Sequence, residues 1–143
     1  MNLQARLMAA AAALLLGGCS KNAETPTSST TDTPTTSTVL YAGSLSAGGS
    51  RFYSFTASKA GTATVMLASV TSPPRGAALD TPLGLGIGRP AGTGCSLSSS
   101  VTTGPALTAQ LQEAVGAGIY CVNVYDVGQV STAVDFVVRF QYP

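Results

Sequence analysis

The side chains that could do chemistry in this 143-residue chain are three cysteines and a few carboxylates, with no histidine. Lack of histidine excludes the Ser-His-Asp triad, the Cys-His pair and the common zinc motifs. A glycosidase would need two carboxylates facing each other across a cleft. Asp80 and Asp126 stand beside turn residues, and they could bind calcium only with loop carbonyls, because acidic neighbours are few. Glu113 and Asp135 are the other two carboxylate residues within residues 39–143. We therefore predict no catalytic residue, no metal site and no cofactor.

The net charge and the length of the chain restrict the classes of protein that remain. Seven basic and six acidic residues give a net charge of +1, and no basic cluster exists to bind nucleic acid. A chain of this length accommodates one ordinary domain.

Residues 1–18 have the features of a secretory signal. Arg6 precedes ten apolar residues, Leu7–Leu16, whereas a membrane span takes roughly twenty. The following Leu16-Gly17-Gly18-Cys19 resembles the lipobox of bacterial lipoproteins, which signal peptidase II cuts before the cysteine. The resemblance implies that Cys19 is the mature N-terminus, with acyl chains on its sulfur and its amine, and Ser20 implies sorting to the outer membrane. An ordinary secretory signal with an incidental cysteine is the alternative.

Residues 19–38 follow as a predicted linker. From Ser20 to Thr38, fourteen of nineteen residues are Ser, Thr or Pro, and no large apolar residue occurs. Such a segment buries too little apolar surface to offset its ordering entropy, so we expect a disordered tether between the lipid and a domain at residues 39–143.

Short runs of alternating apolar residues then predict an all-β domain. The side chains predicted to face the core recur at every second residue, and glycine-containing turns separate the runs, as in a small antiparallel sandwich or barrel. Thr71–Pro82 contains three prolines and is expected to be a loop. Leu107–Leu111 fits a strand followed by a turn better than a helix. The predicted core positions are Tyr53 and Phe55; Ala63, Val65 and Leu67; Tyr120, Val122 and Val124; and Phe136, Val138 and Phe140.

The number of cysteines suggests that the domain is located in an oxidising compartment. If Cys19 is lipidated, Cys95 and Cys121 remain as an even pair in an exported domain, which favours a disulfide. Cys121 lies on the face opposite Tyr120 and Val122, so the bridge is expected outside the main core, joining a loop to a strand. Two free thiols or a metal pair are the alternatives, although two cysteines without histidine make a poor zinc site.

The order of these segments resembles the bacterial pre-peptidase C-terminal domain. Gly49-Ser50-Arg51-Phe52-Tyr53-Ser54-Phe55, then Ala117-Gly118-Ile119-Tyr120, and a closing alternation at Phe136–Phe140 carry the resemblance, which covers Val39–Pro143. It implies a small jelly-roll-like β-sandwich and an extracytoplasmic location. The acidic positions of that family are occupied here by Ser50-Arg51 and Leu83-Gly84-Leu85-Gly86, so no calcium site is expected there.

The remaining candidates for binding are aromatic side chains. Phe52 and Tyr125, with Tyr41, are predicted to point away from the core, where they could contact a sugar, bind a protein or simply cover the sheet. Arg51 and Arg139 are likewise predicted to point away from the core, into solvent.

The segment Gly84-Leu85-Gly86-Ile87-Gly88 is not followed by the helix that a nucleotide-binding loop requires. Its alternate glycines instead predict a strand with one face bare of side chains, which another segment covers closely.

Together these features predict a lipoprotein of the bacterial cell envelope, anchored to the membrane by its lipid. The displayed sandwich is expected to be a non-catalytic binding or structural module rather than an enzyme, with an envelope protein or a glycan as partner. A carbohydrate-binding module is one alternative. An accessory factor or inhibitor of a secreted peptidase is the other.

Overall fold

The computed structural model describes residues 35–143, which form eight β-strands and no helix, hence no helix that could span a membrane. The signal and lipobox residues, Cys19 included, lie outside the described residues, as does most of the predicted linker. The strands are β1 (Ser37–Leu45), β2 (Ser50–Ala57), β3 (Gly61–Thr71), β4 (Leu83–Ala91), β5 (Gly94–Thr103), β6 (Leu111–Val115), β7 (Gly118–Tyr125) and β8 (Val134–Tyr142).

The strands form two antiparallel four-stranded sheets that pack as a sandwich. Sheet A has the order β1-β8-β3-β6 and sheet B the order β2-β7-β4-β5. This is the strand order of an eight-stranded jelly roll, and the predicted fold class is confirmed. Strand β1 begins two residues before the predicted domain start, because Ser37 and Thr38 pair with Tyr142 and Gln141 of β8.

The core lies between the two sheets and consists of the alternating residues that the sequence predicts. Nearly all of the predicted inward side chains are buried, and Tyr53 is partly buried against them. No charged or polar residue among residues 35–143 is buried, and no buried side-chain polar atom in this part lacks a hydrogen-bond partner. Burial of apolar side chains in two facing layers therefore accounts for the stability of the sandwich.

The segment before β6 differs from its prediction. Leu107 is 93% exposed in a loop, and the strand begins only at Leu111. The main-chain N–H groups of Ala106 and Gln110 bond to the carbonyl oxygens of Leu67 and Val65 in β3. These two hydrogen bonds hold the segment along β3 without the regular hydrogen-bond pattern of paired strands. The alternation of apolar residues at Leu107–Leu111 therefore does not mark a strand. Residues 72–82 are a loop as predicted, whereas Thr71 is the last residue of β3 and also forms an isolated bridge with Ala78.

The disulfide between Cys95 and Cys121 is present, with Cα atoms 5.9 Å apart. Cys121 lies in β7 on the outer side of sheet B, opposite the core residues Tyr120 and Val122, as predicted. Cys95 lies at the start of β5 rather than in a loop, so the bridge joins two strands of sheet B. Strand β4 lies between them in the sheet, and Gly88 of β4 pairs with Cys121.

Candidate functional site

Both aromatic residues predicted to face a ligand lie on the outer side of sheet B. Phe52 is 39% exposed and pairs across the strands with Asn123, whereas Tyr125 is partly exposed and pairs with Ser50. The two aromatic residues are therefore diagonal neighbours on adjacent strands. Leu97 of β5 adds a third exposed apolar side chain, 37% exposed, on the same side of the sheet. We call the surface formed by Phe52, Asn123, Tyr125 and Leu97 the aromatic face.

Alternate glycines of β4 explain how the aromatic face is built. A Cβ atom added to Gly84 would lie 2.3 Å from the ring of Tyr125, and one added to Gly86 would lie 2.6 Å from Leu97. The Tyr125 ring and the Leu97 side chain thus lie directly on the bare strand. This confirms the close packing that the glycine spacing predicts. Part of each side chain packs against β4, and the part that remains exposed forms a shallow apolar surface beside the Asn123 amide.

Two residues predicted to point outward lie instead on the inner side of their strands. Tyr41 pairs with the buried Val138, so it shares the core-facing side, where its ring stacks on Tyr53 at a centroid distance of 4.1 Å. Burial raises the pKa of both phenols. Arg51 pairs with the buried Val124, but it is exposed, and its Nε donates to Ser44 O of β1 at 3.3 Å.

Arg139 is exposed on the outer side of sheet A, as predicted. The register between strands, which decides the side of each residue, is a tertiary property that alternation alone does not provide.

The carboxylate of Asp126 is occupied by main-chain donors. Its Oδ1 accepts N–H groups from Gly128, Gln129 and Val130 at 2.8–3.0 Å, and its Oδ2 accepts the N–H of Gly48 at 2.8 Å. Asp126 therefore joins the segment after β7 to the turn between β1 and β2. These bonds fit the predicted turn role, and they leave Oδ1 with no capacity to bind calcium.

We expect the charge of Asp126 to stabilise the fold in a pH-dependent way. Hydrogen bonds from main-chain N–H groups, that of Gly48 foremost, hold the pKa of this carboxyl below its ordinary value. A depressed pKa contributes stability above the unfolded-state pKa near 4, and the contribution is lost as pH falls through the lower folded-state pKa. Asp126→Asn should therefore lower the free energy of unfolding at neutral pH and reduce its decline in acid.

Urea unfolding of the full-length chain between neutral pH and about pH 3 measures this effect. Asp80→Asn, which removes an exposed carboxylate, is the matched control. Equal pH dependence in the Asp126→Asn and Asp80→Asn proteins would refute the stabilising role.

The other carboxylates are held at separate places. Glu113 of β6 accepts hydrogen bonds from Ser98 and Ser99 of β5, which links the edge strands of the two sheets. Asp135 of β8 accepts bonds from Ser44 and from the loop before β4. Within residues 35–143, no group of three His, Cys, Asp or Glu side chains is placed to hold a metal ion.

A depression of about 320 Å³ on sheet A is a site that the sequence reasoning missed. Asp135 and Arg75 line it together with small polar residues of β1 and β3. Arg75 is 60 residues from Asp135 along the chain, within a Pro-rich loop, and no sequence pattern links the two. Only the pairing of β8 between β1 and β3 brings this group together.

The chain matches no protein family model and no curated protein sequence. The jelly-roll-like sandwich that the sequence resemblance implies is present, and membership of the pre-peptidase C-terminal family stays a prediction.

Proposed function

We propose that this protein is a lipoprotein of the bacterial cell envelope that displays a non-catalytic binding module from a lipid anchor at Cys19. The lipobox-like Leu16-Gly17-Gly18-Cys19 supports the anchor, and Ser20 supports the outer membrane as its location. The Cys95–Cys121 disulfide supports an oxidising, extracytoplasmic compartment. It also uses the other two cysteines of the sequence, which leaves Cys19 available for acylation. Two or more acyl chains attach a protein stably to a membrane.

The observation that carries the binding role is the aromatic face. Phe52, Tyr125 and Leu97 place apolar surface in solvent on one side of a rigid, disulfide-linked sheet. Exposed aromatic side chains on a rigid scaffold are typical anchors for a partner, because they add contact area at a low cost in conformational entropy. Glu113, Asp126 and Asp135, by contrast, each accept structural hydrogen bonds at separate positions, and Asp80 is an exposed carboxylate in a loop, which favours binding over hydrolysis.

Mass measurement of the protein extracted from membranes of its native host tests the anchor. We expect the mass of Cys19–Pro143 plus acyl chains, and a Cys19→Ala variant should lack the acyl mass and leave the membrane fraction. Cys95 and Cys121 should remain linked in both proteins under non-reducing conditions. An unacylated wild-type protein would overturn the anchor and point to a freely secreted domain.

A carbohydrate is the ligand class that the composition of the aromatic face favours. Sugar rings have an apolar face of C–H groups and a rim of hydroxyls, and they are matched by aromatic rings beside neutral hydrogen-bonding groups. Phe52 and Tyr125 supply the rings, and Asn123, which pairs with Phe52 and lies two residues before Tyr125 on β7, supplies an amide. No charged residue belongs to the aromatic face. A binding surface for neutral glycans is therefore our more specific proposal for the module.

Glycan-array binding by the full-length protein tests this proposal. Phe52→Ala should weaken binding about tenfold, the effect of losing one ring contact worth roughly 1.4 kcal/mol. Tyr125→Phe, which keeps the ring over Gly84, should bind like the wild type. Leu40→Ala removes an apolar side chain that is 64% exposed on the other sheet, and it is the matched control.

Equal binding by the Phe52→Ala and wild-type proteins would exclude the aromatic face as the glycan site. Co-purification of a secreted peptidase without any glycan binding would instead favour the accessory role.

A further inference from the structure

The depression on sheet A combines opposite charges above an apolar floor. The side chains of Asp135 and Val137 share the outer side of β8, and each is paired with residues of both β1 and β3. Val137 and Ala42 form the apolar floor, and Arg75 reaches the rim from the loop between β3 and β4. The hydroxyl-bearing residues along the walls are Ser44, Ser69 and Thr71.

Asp135 is held in place as an anion. Its Oδ1 accepts the Ser44 hydroxyl at 2.5 Å, and its Oδ2 accepts the main-chain N–H of Arg75 at 3.0 Å. The hydrogen bond from Ser44 is the main cause of a pKa below the ordinary value, so the group is ionised at neutral pH. A carboxylate has about four lone-pair positions. Asp135 can therefore accept further hydrogen bonds from a ligand in the depression.

Arg75 has an unusual backbone conformation. Its φ of 51° makes it the one non-glycine residue with positive φ among residues 35–143. This left-handed conformation strains a residue that has a Cβ atom, and such strain is concentrated at binding sites. The main-chain nitrogen, rather than the guanidinium, makes the hydrogen bond to Asp135. The exposed side chain therefore remains available to bind an anion beside the Asp135 carboxylate.

We propose that this depression binds a small zwitterion, a free α-amino acid or a dipeptide. The ligand ammonium would bind Asp135, its carboxylate would bind the Arg75 guanidinium, and its side chain would lie on Val137 and Ala42. The volume of about 320 Å³ is at the low end for ligand sites, which suits a molecule of this size. This site lies on sheet A, whereas the aromatic face lies on sheet B, so neither proposal depends on the other.

Calorimetric titration of the full-length protein in detergent with L-alanyl-L-alanine tests the proposal. The N-acetylated dipeptide lacks the ammonium and the C-amidated dipeptide lacks the carboxylate, and each should bind at least about tenfold more weakly than the parent. Arg75→Gln should weaken binding of the parent dipeptide about tenfold and leave binding of the amidated form unchanged. Arg139→Gln, which removes an exposed arginine of the same sheet outside the depression, should change neither.

Arg75→Gly separates binding from folding. Glycine adopts positive φ without a Cβ clash, so this variant should unfold at the same urea concentration as the wild type while it loses dipeptide binding. Absence of L-alanyl-L-alanine binding by the wild type would overturn the proposal. It would also be overturned if Arg75→Gln weakened the parent and the amidated dipeptide equally. Either result would leave the glycan test on sheet B unaffected.

Discussion

A Gly88→Ala variant is expected to lose about 3 kcal/mol or more of the free energy of unfolding. The added Cβ atom would lie 1.9 Å from the carbonyl oxygen of Ser96 and 2.7 Å from the Cα atom of Leu97. Both contacts are with main-chain atoms of β5, which cannot rotate away as a flexible side chain could. The clash can be relieved only if β5 moves away from β4.

The position of Gly88 in the sheet explains why this clash should be so damaging. A register shift between β4 and β5 falls between Ile87 and Gly88, and beyond it β5 lies against the bare side of Gly88. The close approach brings Cys95 within bonding distance of Cys121 even though β4 lies between their strands. A displaced β5 would therefore strain or prevent the disulfide as well as lose packing.

Chemical denaturation of the oxidised full-length proteins measures the effect of Gly88→Ala. Gly94→Ala is the matched control, because it lies in the same hairpin and its added Cβ would meet nothing closer than 3.8 Å. We expect the control to change stability by less than about 1 kcal/mol. A loss of under about 1 kcal/mol in Gly88→Ala would show that β5 can shift freely, contrary to this account.

Removal of the disulfide is expected to cost at least about 3–4 kcal/mol in the Cys95→Ala, Cys121→Ala double variant. The bridge joins residues 26 positions apart, and a closed loop of this length restricts the unfolded chain by about that amount in the loop-entropy treatment. Cys121 is also fully buried, so its truncation removes packing on the outer side of sheet B. The two contributions act in the same direction.

Unfolding curves of the wild type under oxidising and reducing conditions, compared with the double variant, measure this cost. The reduced wild type retains both sulfur atoms, so its difference from the double variant reports the lost packing alone. Cys19→Ala, outside the domain, should leave the free energy of unfolding unchanged. Equal stability of the oxidised and reduced wild type would contradict a stabilising bridge.

Several features of the fold were predictable because they depend on local patterns. Side chains two residues apart share one side of a strand, so alternation at Phe136, Val138 and Phe140 identified buried positions before any pairing was known. The outward position of Phe52 followed in the same way. Tyr41 and Leu107 were misplaced because alternation does not show where a strand begins or which side faces the core.

By itself, the sequence determined the all-β class, most of the core, the close packing of other residues over the glycines of β4, and the pairing of Cys95 with Cys121. These depend on residue type and on short-range periodicity. Only the tertiary structure decided the strand order, and with it the meeting of Ser44 with Asp135, which is 91 residues away along the chain. Long-range pairing is chosen by the summed burial of whole sheets rather than by any single segment, and so no local pattern reveals the depression at Arg75 and Asp135.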